Sequence, residues 1–384
     1  MKIAVPAERR EHEKRAAASP ETVKKFVGLG AQVVVERGLG EGARIADDLY
    51  AEQGATLADD LAATIAGADV VLKVQRPMRA GDPIDELAQF SAGQNLVSLM
   101  NPLANRADVE AYAEAGVNAF AMELMPRITR AQSMDVLSSQ SNLVGYKAVL
   151  DALEYFDKAM PMMMTAAGTI APARVLVMGA GVAGLQAIAT AKRLGAVVSA
   201  TDVRPAAKEQ VESLGGKFVM VDSEETRNAE TEGGYAREMS DEYKRAQAAL
   251  IAETVPKQDI IVCTALIPGR PAPVLINDEM LASMRPGSIV VDIAAEAGGN
   301  CTQTRLGEIV DHDGVTIIGH HNWPSRVAVD ASALYARNLF NFLSPHIDQE
   351  SGLLHWDWDD ETVTGVCVAR DKAVVHPMLT GEGA

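Results

Sequence analysis

Arg174-Val175-Leu176-Val177-Met178-Gly179-Ala180-Gly181-Val182-Ala183-Gly184 decides the fold. Val175 to Met178 reads as a buried strand, and Val182–Leu194 carries a helical pattern directly after three glycines spaced GxGxxG. That spacing has a mechanical meaning. The first glycine permits a tight turn, the second lets a ligand approach the backbone, and the third lets the helix pack closely on the strand. The uncapped N–H groups and partial positive charge of the helix start then face an anion, for which the pyrophosphate of a dinucleotide is well suited. A tight turn with no ligand is the competing reading, and the complete strand–turn–helix context argues against it.

The next strand, Val197–Thr201, ends at Asp202, about twenty residues on, where a carboxylate accepts ribose hydroxyls. A carboxylate there repels a 2′-phosphate and favours NAD(H) over NADP(H), although Arg204 supplies a cation of the kind that accommodates NADP. Thr264, Ala265 and Leu266 follow a later strand, and small residues at 264 and 265 leave room for adenosine. Gly179, Gly181, Val182, Ala183, Gly184, Asp202, Val203, Arg204, Thr264, Ala265 and Leu266 are thus the candidate cofactor-binding residues of this half.

Outward from this turn, short apolar runs alternate with helical patterns along the whole chain, the signature of parallel α/β sheets. A first cycle holds Lys2–Val5, Ala31–Glu36, Asp69–Val74 and Asn95–Leu99 as strands, with Ser19-Pro20-Glu21 as a helix start. The second cycle adds Lys217–Val221, Asp259–Thr264, Ser288–Asp292 and Val315–Ile318. Leu29-Gly30-Ala31 recurs as Leu194-Gly195-Ala196, the same glycine-ended helix turning back into the sheet. Long helical patterns at Ser139–Phe156 and Ala328–Phe342 are expected to connect the two cycles. The expected fold is α/β, with two Rossmann-like domains, each a mainly parallel sheet flanked by helices, and a cleft between them. Residues 1–137 joined by 345–384 form the first domain, and 138–344 the nucleotide-binding domain.

With 384 residues, 48% of them hydrophobic, the chain has material for two cores of ordinary composition. Its net charge of −17 repels phosphate backbones and argues against nucleic-acid binding. Cys263, Cys301 and Cys367 are too scattered for a disulfide framework or a zinc site and suggest a reducing compartment. No signal-peptide core and no run of about 18 apolar residues is present, so a membrane span is not expected. Met160-Pro161-Met162-Met163-Met164 reads as core or interface filler rather than a metal site, and Trp356-Asp357-Trp358-Asp359-Asp360 as a docked tail.

Two polar segments call for a purpose. Residues 127–138 lie at the expected domain junction and mix Arg127, Arg130, Gln132, Ser133, Asp135 and Ser138 with no helical stripe. Arginine and glutamine there can hold a carboxamide or pyrophosphate, and Asp135 and Ser138 can orient a nicotinamide; a solvated linker is the alternative. Residues 222–245 are highly charged around Gly233-Gly234-Tyr235, either a lid carrying Tyr235 or an inert insertion. Equally informative is an absence. Dehydrogenases of alcohols, hydroxy acids or amines move a proton with each hydride and need an acid/base such as histidine. The seven histidines include none at the first-cycle strand end, which reads Val97-Ser98-Leu99-Met100-Asn101-Pro102. Hydride exchange between two nicotinamide rings needs no such group.

Together these residues resemble the alanine dehydrogenase/transhydrogenase α-subunit family, specifically the NAD(H)-binding component of proton-translocating transhydrogenases. The resemblance runs through Ile3-Ala4-Val5-Pro6, Glu13-Lys14-Arg15, Lys73-Val74-Gln75-Arg76-Pro77, the glycine turn, and Asp292 with Ala294–Asn300. Its most specific marker is the stretch from Arg127 to Gln140. The resemblance implies direct hydride transfer between NAD(H) here and NADP(H) on a partner component, coupled to proton movement through an integral-membrane component. It further implies a homodimer, peripheral on the cytoplasmic face of a bacterial inner membrane. Arg127, Gln132, Asp135, Ser138 and Tyr235 would be the catalytic set, with Ile128, Ser133, Met134 and Gly234 beside them on the cofactor. Longer α subunits of the family continue into membrane helices; this sequence ends at Gly383-Ala384, which implies a split subunit or an excised domain. In the alanine dehydrogenases, residues matching Arg15 and Lys73 hold the substrate carboxylate, a catalytic histidine stands at the Leu99-Met100 strand end, and an aspartate replaces Glu296. An NAD-dependent amino-acid dehydrogenase is therefore the alternative, weakened by the missing histidine.

Overall fold

The computed structural model of the chain describes residues 1–221, 240–267, 269–348 and 350–381. It divides into two compact units, Met1–Gln140 with Pro324–Ala384, and Ser141–Trp323.

In the first unit, β1 (Lys2–Val5), β2 (Gln32–Glu36), β3 (Thr56–Ala58), β4 (Val70–Gln75), β5 (Asn95–Leu99) and β6 (Asn118–Ala121) form a parallel sheet in the order β3-β2-β1-β4-β5-β6. Antiparallel strands Cys367–Arg370 and Ala373–Val374 extend it beyond β6. Burial on both faces explains the near-continuous apolar strands: Val70, Val71, Leu72 and Val74 are all inaccessible to solvent. Helix α1 (Pro20–Gly28) starts as its sequence predicts. Ser19 accepts from the Thr22 N–H, the Thr22 hydroxyl oxygen accepts from the Ser19 N–H, and proline fills the first position.

Helix α2 (Val136–Glu154) begins in this unit and continues into the second. In the second unit, β7 (Arg174–Met178), β8 (Val197–Thr201), β9 (Lys217–Phe218), β10 (Ile260–Cys263), β11 (Ile289–Asp292), β12 (Ile309–His312) and β13 (Val315–Ile318) are ordered β9-β8-β7-β10-β11-β13-β12. Only β12 runs antiparallel to its neighbour within this sheet. Counted within each unit, the parallel strands of both sheets follow the doubly wound order 3-2-1-4-5-6. The order reverses beside β1 in one unit and beside β7 in the other, and ligands of such sheets bind at the carboxyl ends of the strands there. Helix α3 (Val182–Arg193) follows β7 directly and packs Ala187, Ile188 and Ala191 into the core.

Three details differ from the expectation. The strand predicted over 217–221 pairs only at Lys217 and Phe218, because beyond it the Gln247 side chain takes over: its Oε1 accepts from the Val221 N–H and its Nε2 donates to the Val219 carbonyl. Helix α4 (Ala328–Leu343), expected in the nucleotide-binding half, buries Tyr335, Leu339, Phe342 and Leu343 in the core of the first unit. The methionine cluster divides: Met160 is buried in the second unit's core, whereas Met162, Met163 and Met164 stand exposed at the hairpin of Met163–Thr165 and Gly168–Ile170. The tail docks on the first unit by stacking Trp356 on Phe120 at 4.5 Å. No helix among the described residues is long and apolar enough to cross a membrane.

Candidate nucleotide site

The turn after β7 has the form its glycines demand. Gly179 adopts φ +105°, and a Cβ there would lie 2.5 Å from the Thr264 hydroxyl, which itself donates to the Gly179 carbonyl at 3.0 Å. At Gly184 a Cβ would sit 1.8 Å from the Gly179 carbonyl oxygen. Those two glycines are explained by the chain. Gly181 is not: a Cβ there meets nothing within 4 Å. The space it leaves open lies at the N-cap of α3, where no side chain caps the first-turn amides of Val182, Ala183 and Gly184. An open cradle beside unpaired donors fits a pyrophosphate.

Asp202 sits just past β8, beside this turn. Its Oδ2 accepts from the Ala180 N–H at 2.7 Å, and its Oδ1 from the Arg204 N–H at 2.8 Å. The Arg204 guanidinium adds Nε to Oδ1 at 3.0 Å and Nη2 to Oδ2 at 3.1 Å. Burial raises the carboxyl's pKa, but these hydrogen bonds outweigh it and hold the group below the ordinary aspartate value. Apolar side chains rim the same strand ends: Val203 is 82% exposed and Leu266 57%, with Val182 and Ile267 also exposed. Exposed aliphatic groups at that position offer a planar base two faces to lie against.

Asp292 and Asn300 fix the neighbouring loop. The buried Asp292 carboxylate accepts from the N–H groups of Ala294, Asn300 and Cys301 and from the Thr304 hydroxyl. Asn300 in turn accepts from the Ala265 N–H at 3.1 Å and donates to the carbonyls of Ala265 and Pro273. Thr264 and Ala265 are therefore held from both sides. In the sequence, the Asp292–Asn300 stretch stands out only through resemblance. Its brace on the 264–273 loop has no sequence signal, since no local pattern reports a contact between residues 35 apart.

In the first unit, residues 127–138 are more ordered than a linker. Thr129–Met134 forms a short 3₁₀ turn whose Ala131 and Met134 are buried, with Ile128 packed beside them. The Ser133 carbonyl accepts from Asn338 and Asn341 at 2.9 Å each, and Arg130 pairs with Asp360. Asp135 accepts from both the N–H and the hydroxyl of Ser138, which starts α2 as a cap. Arg127 and Gln132 are exposed, and neither side chain has a partner among the described residues. Two polar heads thus stand free on an anchored segment. Gly234 and Tyr235 lie outside the described residues.

Arg15 and Lys73 are buried at the carboxyl ends of β1 and β4, and each is already engaged. Arg15 pairs with Glu13 at 2.7 Å and donates to Gln140 at 3.0 Å. Lys73 lies 2.9 Å from Glu86 and 3.4 Å from Glu8. Three carboxylates face two cations, a setting that disfavours another carboxylate. At the end of β5 stands Met100, 1% exposed, which can neither take up nor give a proton. His320 packs edge-on to Trp323 at 5.2 Å within the second unit, a structural placement. Among the described residues no cluster suits a metal ion.

Comparison with known proteins agrees with this geometry. The family model "Alanine dehydrogenase/PNT, N-terminal domain" matches residues 4–144, and the "C-terminal domain" model matches residues 148–377. The first portion of the split NAD(P) transhydrogenase subunit alpha of Rhodospirillum rubrum is 59% identical over 384 residues, the full length of both chains. A crystal structure of the transhydrogenase from Sinorhizobium meliloti superimposes with a TM-score of 0.87 at 50% identity, covering 98% of this chain and 100% of that one. An L-alanine dehydrogenase structure shares the fold at a TM-score of 0.80 and 22% identity, covering 99% and 98%. The chain therefore belongs to the alanine dehydrogenase/PNT family of oxidoreductases and, within it, to the NAD(P) transhydrogenase α subunits.

Proposed function

We propose that this chain is the NAD(H)-binding component of a proton-translocating transhydrogenase, acting with an NADP(H)-binding component and a proton-conducting membrane component. The observation that carries the reading is a dinucleotide-type turn in a chain that buries Met100 where an acid/base would have to stand. When bound, dihydronicotinamide supplies a hydride to NADP⁺ on the partner, giving NAD⁺ and NADPH with no proton exchanged at the reacting carbon. The chain's own residues bind and orient. Amides of the Gly179–Gly184 turn hold the pyrophosphate, Asp202 accepts from the ribose, and Val203, Thr264, Ala265 and Leu266 surround the adenosine. Arg127 and Gln132, fixed on their turn with Ile128, Ser133 and Met134, hold the carboxamide side of the nicotinamide. Asp135 and Ser138 orient its ring, and Gly234 and Tyr235 close over it. The same reading makes the chain a homodimer on the cytoplasmic face of the inner membrane, peripheral through its partners.

The amino-acid dehydrogenase alternative is disfavoured by the occupied Arg15 and Lys73 as well as by Met100. Stopped-flow mixing of an NADH analogue with the purified NADP-binding partner, beside a control with NAD⁺ and alanine alone, separates the readings. The expected result is hydride exchange only when the partner is present. Turnover of alanine without the partner would establish the dehydrogenase instead, and NADH binding with no exchange would leave a sensing module.

A further inference from the structure

Asp202 has no acceptor position to spare. Its two oxygens take four hydrogen bonds, two each, from the N–H groups of Ala180 and Arg204 and from Nε and Nη2 of Arg204. A carboxylate offers about four lone-pair sites, so ribose hydroxyls can be accepted only if a present donor leaves. The two backbone donors belong to the turn and to the strand end and are fixed there. The other two belong to a guanidinium that is 43% exposed, against 7% for the carboxylate, and its one further bond is a 3.3 Å contact from Nη2 to the Ala180 carbonyl. The movable occupant is Arg204.

We propose that Arg204 is a latch on the ribose site: its guanidinium occupies Asp202 in the nucleotide-free chain and is exchanged for the ribose hydroxyls when NADH binds. The inference rests on the proposed binding of NAD(H) at the Gly179–Gly184 turn and adds a specificity role to it. Three consequences follow from the geometry. The latch competes with NADH, so the chain binds its nucleotide more weakly than the same site without the arginine. It also keeps Asp202 ionised and aimed while the site is empty. Finally, the displaced guanidinium stays tethered two residues from Asp202, where it meets a 2′-phosphate favourably. Arg204 therefore narrows the preference for NADH over NADPH from both sides.

The test is equilibrium titration of NADH and of NADPH, by fluorescence and calorimetry, into the intact chain and its Arg204→Ala and Arg204→Lys variants. Arg204→Ala should tighten NADH by about threefold to tenfold, the range an exposed-side ion pair contributes, and should weaken NADPH by a similar factor. Arg204→Lys keeps the charge but loses the two-pronged geometry, so it should lie between, and it serves if the alanine variant melts early. The loss of NADH affinity on acidification should begin at higher pH in Arg204→Ala, because the arginine lowers the Asp202 pKa. Weaker NADH binding by Arg204→Ala, or equal changes for the two nucleotides, would overturn the latch alone. Failure of the unaltered chain to bind NADH would remove the nucleotide reading and the latch with it.

Discussion

The two sheets of this chain have the same strand order and opposite contents where that order reverses. After β7 the backbone turns at once through Gly179–Gly184 into a helix, leaving uncapped amides and open space at Gly181. After β1 it continues through Pro6-Ala7-Glu8 and enters no helix until Pro20. There Glu8 reaches across to accept from the Val74 N–H at 2.6 Å, and Glu8, Glu13 and Glu86 absorb Lys73 and Arg15. Topology creates a crevice in both units. What occupies it is set by a few residues after the first strand: glycines leave room for an external anion, whereas charged side chains fill the place with the protein's own ion pairs.

The largest way to disturb this contrast is at the filled end. Lys73→Met keeps the volume but leaves Glu8 and Glu86 buried without their shared cation, and should cost about 3–5 kcal/mol of stability in chemical denaturation at neutral pH. Burial already raises the Glu8 pKa, with Lys73 opposing that rise. Removing Lys73 raises it further, and a carboxyl whose folded pKa lies above the unfolded one contributes stability at low pH that is lost as pH climbs. The deficit should therefore shrink as the pH falls toward the ordinary glutamate value and widen above it. A uniform deficit across pH would mean that the pairing is not the cause.

At the open end, Gly184→Ala places a methyl against the Gly179 carbonyl, so the turn must deform. NADH affinity should drop by about a hundredfold, with a loss of about 1–3 kcal/mol in the second unit's stability. Unchanged affinity would separate the turn from the nucleotide. Asp135→Asn has a smaller effect in two parts. Loss of the charged cap on α2 should cost about 0.5–1 kcal/mol, while hydride exchange slows and NADH affinity stays nearly intact. A large loss of affinity with an unaltered transfer rate would contradict the positioning role. The smallest effect is a null one: Met100→His restores a proton carrier at β5 yet should yield no alanine oxidation, because Lys73 and Arg15 remain engaged.

Much of this is legible in the sequence for physical reasons. Val175–Met178 followed by GxGxxG states strand, turn and helix within eleven residues, and Ser19-Pro20 states a helix start within two. Short strands are less legible: Thr56–Ala58 and Asn118–Ala121 take their strand character from sheet neighbours rather than from a local run. The C-terminal strand Cys367–Arg370, paired with β6, depends on a contact across most of the chain. At the site, the sequence shows Asp202 and Arg204 as separate influences on cofactor choice, but only geometry places the guanidinium on the carboxylate. Likewise, Lys73 reads as a cation from its sequence neighbours, and its neutralisation by Glu8 and Glu86 requires the fold.

The central claim is that one crevice is open to a dinucleotide and the other is filled by the protein itself. A crystal structure of the chain with NADH tests it most directly. The account predicts pyrophosphate over Gly179–Gly184, ribose hydroxyls on Asp202 with the Arg204 side chain displaced, and the Lys73 and Arg15 ion pairs intact. Nucleotide seated instead at the ends of β1 and β4, or an unoccupied turn at saturating NADH, would contradict it.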